Sequence, residues 1–115
     1  GVGEYNGDAK ADVLWRRNDG TNYVWHVDGT NIPAGVLSIP TQGALPSVTD
    51  PGWSVAGWGD YNGDGKSDVL WRHTSGANHV WHVDGSVISG GVLAIPSQGI
   101  LPSVTDTGWQ VQNPK

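Results

Sequence analysis

Asp60-Tyr61-Asn62-Gly63-Asp64-Gly65-Lys66-Ser67-Asp68 runs directly into Val69-Leu70-Trp71-Arg72. Oxygen-bearing side chains alternate along it at Asp60, Asn62, Asp64 and then Asp68. Gly63 and Gly65 stand where such a loop must turn sharply. A hard cation such as calcium needs several oxygens on one tight loop, and alternation aims them inward. A near-copy, Glu4-Tyr5-Asn6-Gly7-Asp8-Ala9-Lys10-Ala11-Asp12, precedes Val13-Leu14-Trp15-Arg16. The copy makes the loop part of a repeat and sets the register of the whole chain.

In that register Trp15 aligns with Trp71, Trp25-His26 with Trp81-His82, and Trp53 with Trp109, all at one offset. A period of this length, rich in strand and turn signals, predicts propeller blades rather than a helical solenoid. The 18 Gly and seven Pro punctuate short apolar runs, which excludes long helices. The expected fold is all-β, with two four-stranded propeller blades. Residues 1–56 form blade repeat 1, 57–112 form blade repeat 2, and 113–115 are a tail.

Strands are expected at Trp53–Trp58, Asp68–Arg72, His79–Val83 and Gly91–Ile95. A turn over 73–78 makes a hairpin, and Asp84-Gly85 signals a second tight turn. Pro96 is expected to stop the fourth strand, followed by a long polar loop over 97–107. Gly108–Gln112 carries only the first half of the strand seen whole at 52–62, and Gly1–Asn6 only the second half. Gln112 in repeat register would lead into Gly1, so each blade edge would be completed by a neighbour. Head-to-tail association into a ring, with a trimer favoured, is the expected remedy for two blades. The rival is a piece of a longer single-chain propeller.

A net charge of -5 argues against nucleic acid as a partner and against binding to anionic membranes. No cysteine means no disulfide framework, no thiolate nucleophile and no Cys-type zinc site. No apolar run suits membrane insertion, and no signal peptide opens the sequence. Export or display at the cell surface fits the composition and would need a leader outside these residues. No Ser or Cys nucleophile motif is present, and a ring of small identical units rarely builds one asymmetric catalytic site. No enzyme activity and no catalytic residue are therefore expected.

Seven Trp with no Phe imply a role for an amphipathic ring with one N–H donor. Trp15 and Trp71 are expected to pack between blades. Strand alternation puts Trp81 on one face with His79 and Val83, and His82 on the other with Val80 and Asp84. Likewise Trp25 shares a face with Tyr23, and His26 one with Val24 and Asp28. Trp25 and Trp81 are candidate platforms for the C–H face of a sugar. Arg16, Arg72, His26, His82, Asn22, Asn78, Asp28 and Asp84 are candidate partners for its hydroxyls. Tyr23 against His79, and Arg17 against His73, make the two pockets unequal.

The run from Asp60 to Arg72 resembles the FG-GAP (VCBS-type) repeat of integrin-like β-propellers, and the resemblance covers both units. It implies that the acidic loop joins two strands of a blade and holds structural calcium through Asp60, Asn62, Asp64 and Asp68, with the Lys66 carbonyl. In the first unit the ligands would be Glu4, Asn6, Asp8 and Asp12. That unit departs from the pattern, with Glu4 in place of Asp and Ala9 in place of Gly. The Trp-rich, short-looped style is similar to propeller lectins of the Psathyrella velutina lectin type. This implies multivalent binding of glycans or monosaccharides between blades. The alternative is a scaffold or protein-interaction propeller, or an engineered propeller fragment, with no sugar site.

Overall fold

The structure, a computed structural model, describes residues 2–112. Gly1 and the expected tail over 113–115 lie outside the described residues. Eight strands form in chain order: β1 Val2–Gly3, β2 Asp12–Arg16, β3 Asn22–Asp28, β4 Ser38–Leu45, β5 Trp53–Gly59, β6 Asp68–His73, β7 Asn78–Ser89 and β8 Val92–Leu101. The only helical element among the described residues is a single 3-10 turn, Pro33–Gly35. The protein is all-β, with a propeller-like arrangement of two four-stranded units.

Strands β1 to β4 pair antiparallel in sequence order and make blade 1, and β5 to β8 do the same for blade 2. The two edges β4 and β8 touch through one parallel bridge, Ala44 with Val92, where Ala44 N donates to Gly91 O at 2.8 Å. The sheet order is therefore β1-β2-β3-β4-β8-β7-β6-β5, and β1 also approaches β5, so the sheet nearly closes. Strand β5 crosses the expected boundary between residues 56 and 57, because the blade takes its whole first strand from Trp53 onward.

Register agrees with the repeat. Leu14 pairs with Val24, and Leu70 with Val80. The hairpin over 73–78 forms as expected, with His73 N donating to Ala77 O and Gly76 at φ 96°. The core lies between the blades: Leu14, Val24 and Leu45 of blade 1 meet Val69, Trp71, Trp81, Val83 and Leu93 of blade 2. Tyr5, from the first acidic loop, is buried among them.

Two expectations for blade 2 need correction. No tight turn forms at Asp84-Gly85, and β7 continues to Ser89 through irregular pairing beyond His82. The reason lies in blade 1: Gly85 N donates to Tyr5 O at 2.6 Å and holds this segment along the junction. In blade 1 the matching Asp28-Gly29 does turn, with Asn31 N donating to Asp28 O. Nor does Pro96 stop β8, which runs on to Leu101 and absorbs the first part of the predicted polar loop. Pro96 sits where the ladder slips, between Ser97 opposite His82 and Ala94 opposite Asp84. Its missing N–H therefore costs no ladder bond.

Candidate functional site

The blade junction encloses a cleft of about 200 Å³ lined by Val48, Trp53, Trp71, His79 and Trp81. Blade 2 supplies one wall from β6 and β7, where alternation places Trp71, His79 and Trp81 on one face. Trp71 and Trp81 meet edge-to-face, with centroids 5.0 Å apart. The loop after β4 contributes Val48, and the first strand of blade 2 contributes Trp53. Trp71 is buried, and its Nε1–H has no acceptor among the described residues. A buried donor left unpaired costs free energy until something accepts from it. His79 places Nε2 3.0 Å from Gln98 Oε1, a polar pair at an otherwise apolar cleft.

The other sequence-predicted sugar contacts divide sharply. Trp81 and His79 line the cleft, whereas Trp25 and Tyr23 occupy the matching face of blade 1, where Trp25 meets Trp15 edge-to-face. Trp15, expected to pack between blades, is half exposed, while Trp71 packs there as expected. His26 is buried on the opposite face, with Nδ1 2.6 Å from Thr41 Oγ1. Its counterpart His82 lies near the surface, 2.7 Å from Ser97 Oγ.

Arg16 and Arg72 act as fasteners. Arg16 donates to Asn22 Oδ1, Gly20 O, Val48 O and Trp53 O at 3.0–3.3 Å. Arg72 donates in the same way to Asn78 Oδ1, Val104 O and Trp109 O. Asn22 and Asn78 spend their amides on Pro46 O and Pro102 O. Asp28 and Asp84 accept from Thr30 N and Ser86 N, two residues further along the chain. These polar atoms hold loops against strands, and those of Arg16 reach the Val48 and Trp53 carbonyls at the edge of the cleft. Sequence reasoning missed Val48 and Trp53 as cleft residues. The available signal was the repeat register, which carries the loop after β4 into the Trp of the next blade.

The acidic loops are built around backbone capture. Asp60 accepts from the N–H groups of Gly63, Asp64 and Gly65 at 2.8–3.1 Å. Asn62 accepts from Asp64 N, and Asp64 from Lys66 N. Buried Asp68 ties the loop to the blade by accepting from Tyr61 N at 2.9 Å and Val83 N at 3.1 Å. Lys66 turns away from the loop's carboxylates and sits 3.9 Å from Asp84. In the first loop Glu4 takes Asp60's place and accepts from Asn6, Gly7 and Ala9. Ala9 adopts φ 64°, the conformation its counterpart Gly65 adopts at 81°.

The two ends of the second loop titrate in opposite directions. The Gly65 N–H and its neighbours hold Asp60 below the ordinary aspartate range. Burial pushes Asp68 up, against the pull of the Tyr61 and Val83 N–H groups, and it does the same to Asp12. Burial also drives the Tyr5 phenol far above its usual value, with the Asp12 and Asp68 charges adding to the shift.

One carboxylate oxygen each from Glu4, Asp8 and Asp12 lies within 4.8 Å of the others. Oxygens bound to one calcium at roughly 2.3–2.6 Å sit no more than about 5.2 Å apart, so this trio fits one ion. The longer Glu4 side chain, which departs from the pattern, does not prevent that convergence.

A loop of alternating oxygens joining the first two strands of a blade, twice over, is the feature that decides the family. A family model described as FG-GAP-like repeat matches residues 5–71, more than half of the chain. The chain belongs to the FG-GAP-like repeat family. No characterised protein and no solved structure matches it. The FG-GAP-like match begins in the first acidic loop and ends at Trp71, in the strand that follows the second. It thus covers most of the first loop and all of the second, and it points to a β-propeller interaction domain.

Proposed function

We propose that this FG-GAP-like domain binds carbohydrate, without catalysis, in the aromatic cleft between its blades. The observation that carries this reading is the cleft lining itself, in which Trp53, Trp71 and Trp81 stand beside the polar His79–Gln98 pair. A sugar's C–H face can lie against Trp53 or Trp81 while one of its hydroxyls bonds to His79. The His79–Gln98 pair offers further hydrogen-bond capacity. The cleft lies below the roughly 300–1,000 Å³ range of ligand pockets, so it suits a single residue of a glycan. Binding at one such site is weak, and useful affinity comes from several sites engaged together.

A glycan array tests the proposal, with Trp71→Phe as the matched control because it replaces an indole that lines the cleft by a smaller ring. The expected result is a defined glycan signal that falls with Trp71→Phe. No signal at high protein loading sinks the carbohydrate reading. It would favour the second reading, a protein-interaction propeller, which the family membership and the exposed apolar faces of the blades support.

Calcium is proposed as a structural ligand of the acidic loops, held by Glu4, Asp8 and Asp12 in the first. Bound there, it would supply charge neutralisation and brace β1 against β2.

A further inference from the structure

The junction between blade 1 and blade 2 is a worked example of how this repeat meets its neighbour. Several residues that make the junction have counterparts one repeat away that face no second blade. Trp71 is 2% exposed against 50% for Trp15, Leu45 is 2% against 45% for Leu101, and Tyr5 is 0% against 47% for Tyr61. Blade 1 thus leaves open the kind of face that blade 2 uses, and blade 2 leaves open the kind that blade 1 uses.

The polar contacts repeat the asymmetry. Within the junction His73 Nε2 lies 3.0 Å from Asp50 Oδ2, and His73 meets Trp53 edge-to-face at 4.8 Å. Their counterparts are Arg17, Asp106 and Trp109. Arg17 and Asp106 are both exposed, on the two open faces, and opposite in charge. Gly85 is also required by the junction, since a Cβ there would stand 2.4 Å from Tyr5 O. Its counterpart Gly29 meets only Leu37 Cδ2, at 3.6 Å. Finally, β5 pairs along its length with β6, whereas the matching residues 109–112 form no strand.

We propose that a second copy of this chain docks head to tail, its blade 1 covering the open face of blade 2, and that this docking builds a second aromatic cleft shared by two chains. Val104 and Trp109 come from one copy, and Trp15, Tyr23 and Trp25 from the next. Arg72 then lies over Trp15 as Arg16 lies over Trp71, and Arg17 pairs with Asp106. Tyr23 stands where the internal cleft has His79, so the two kinds of cleft alternate and differ at one polar contact. Tyr61 brings its carbonyl to Gly29. The contact is heterologous and closes into a ring when its rotation allows.

Solution mass by light scattering on the 115-residue chain tests this. The expected mass is that of two or more whole copies of the 12.1 kDa chain. Arg17→Asp or Asp106→Arg alone should lower it to the single-chain value, and combining the two should restore it. Gly29→Val should also give the single-chain mass while keeping the β-sheet circular dichroism. A folded 12.1 kDa monomer overturns the proposal and assigns both faces to further repeats in one polypeptide. A double swap no better than the single ones overturns the Arg17–Asp106 register. Ligand binding in the shared cleft rests on the carbohydrate reading, but mass does not. An assembled ring silent on glycans would therefore sink that reading alone.

Discussion

Arg16 of blade 1 lies over the indole of Trp71 in blade 2, its guanidinium carbon 5.0 Å from the ring centroid. The same guanidinium accounts for four hydrogen bonds, two of them to the Val48 and Trp53 carbonyls that border the cleft. One side chain therefore joins a strand, a loop and the neighbouring blade.

Arg16→Ala should destabilise the fold by about 2–4 kcal/mol, combining charged hydrogen bonds of roughly 1.5–3 kcal/mol with cation–π stacking of roughly 0.5–2 kcal/mol. Arg16→Lys keeps the charge but loses the planar fork, so it should recover less than half of the loss. Urea unfolding monitored by tryptophan fluorescence measures both.

Gly85→Ala should be costly although its backbone is not in the left-handed region. The added Cβ meets the Tyr5 carbonyl, which is backbone and cannot rotate away. Overpacking of this kind costs about 1–3 kcal/mol. A melting temperature equal to that of the parent protein would refute the tight approach of the two blades.

Trp71→Phe should destabilise the fold by about 1–3 kcal/mol, because the smaller ring leaves a cavity at a buried site and weakens the contacts with Arg16 and Trp81. It should weaken ligand binding at the same time. Calorimetric titration with a sugar identified on the array, beside thermal melts, separates the two effects.

Asp60 and Asp68 should titrate on opposite sides of the ordinary aspartate value in a carboxyl-carbon NMR titration. Asp60, with a depressed folded value, stabilises the fold above its unfolded value, and that contribution is lost as pH falls through the folded one. Asp68 has a raised folded value and binds its proton more readily in the folded state. Between its unfolded and folded values, stability from this group therefore declines as pH rises. Asp68→Asn should still destabilise, since an amide oxygen cannot replace both carboxylate oxygens that accept from Tyr61 N and Val83 N.

Calcium added to chelator-treated protein should release or absorb heat and raise the melting temperature, and Asp8→Asn should abolish both. Absence of heat and of any thermal shift would reduce the loops to turns held by their own N–H groups.

The repeat, the all-β class, the strands of each blade and the face that Trp25 and Trp81 share with their neighbours were legible in the residues. Local spacing determines these features: alternation assigns faces, glycines permit the turns, and the acidic loop marks the start of a strand. What the residues could not show was which of two identical side chains is buried. Trp15 and Trp71 sit in the same local sequence, yet only Trp71 has a blade in front of it. The roles of Arg16 and Asn22 were hidden for the same reason, since their acceptors include carbonyls more than 20 residues away. The turn expected at Asp84-Gly85 failed because a carbonyl from the other blade claims the Gly85 N–H. The loop from Asp60 to Asp68 set the register from sequence alone. Tertiary structure decided that its weaker-looking copy, Glu4 to Asp12, is the one that brings three carboxylates together and buries its tyrosine in the core.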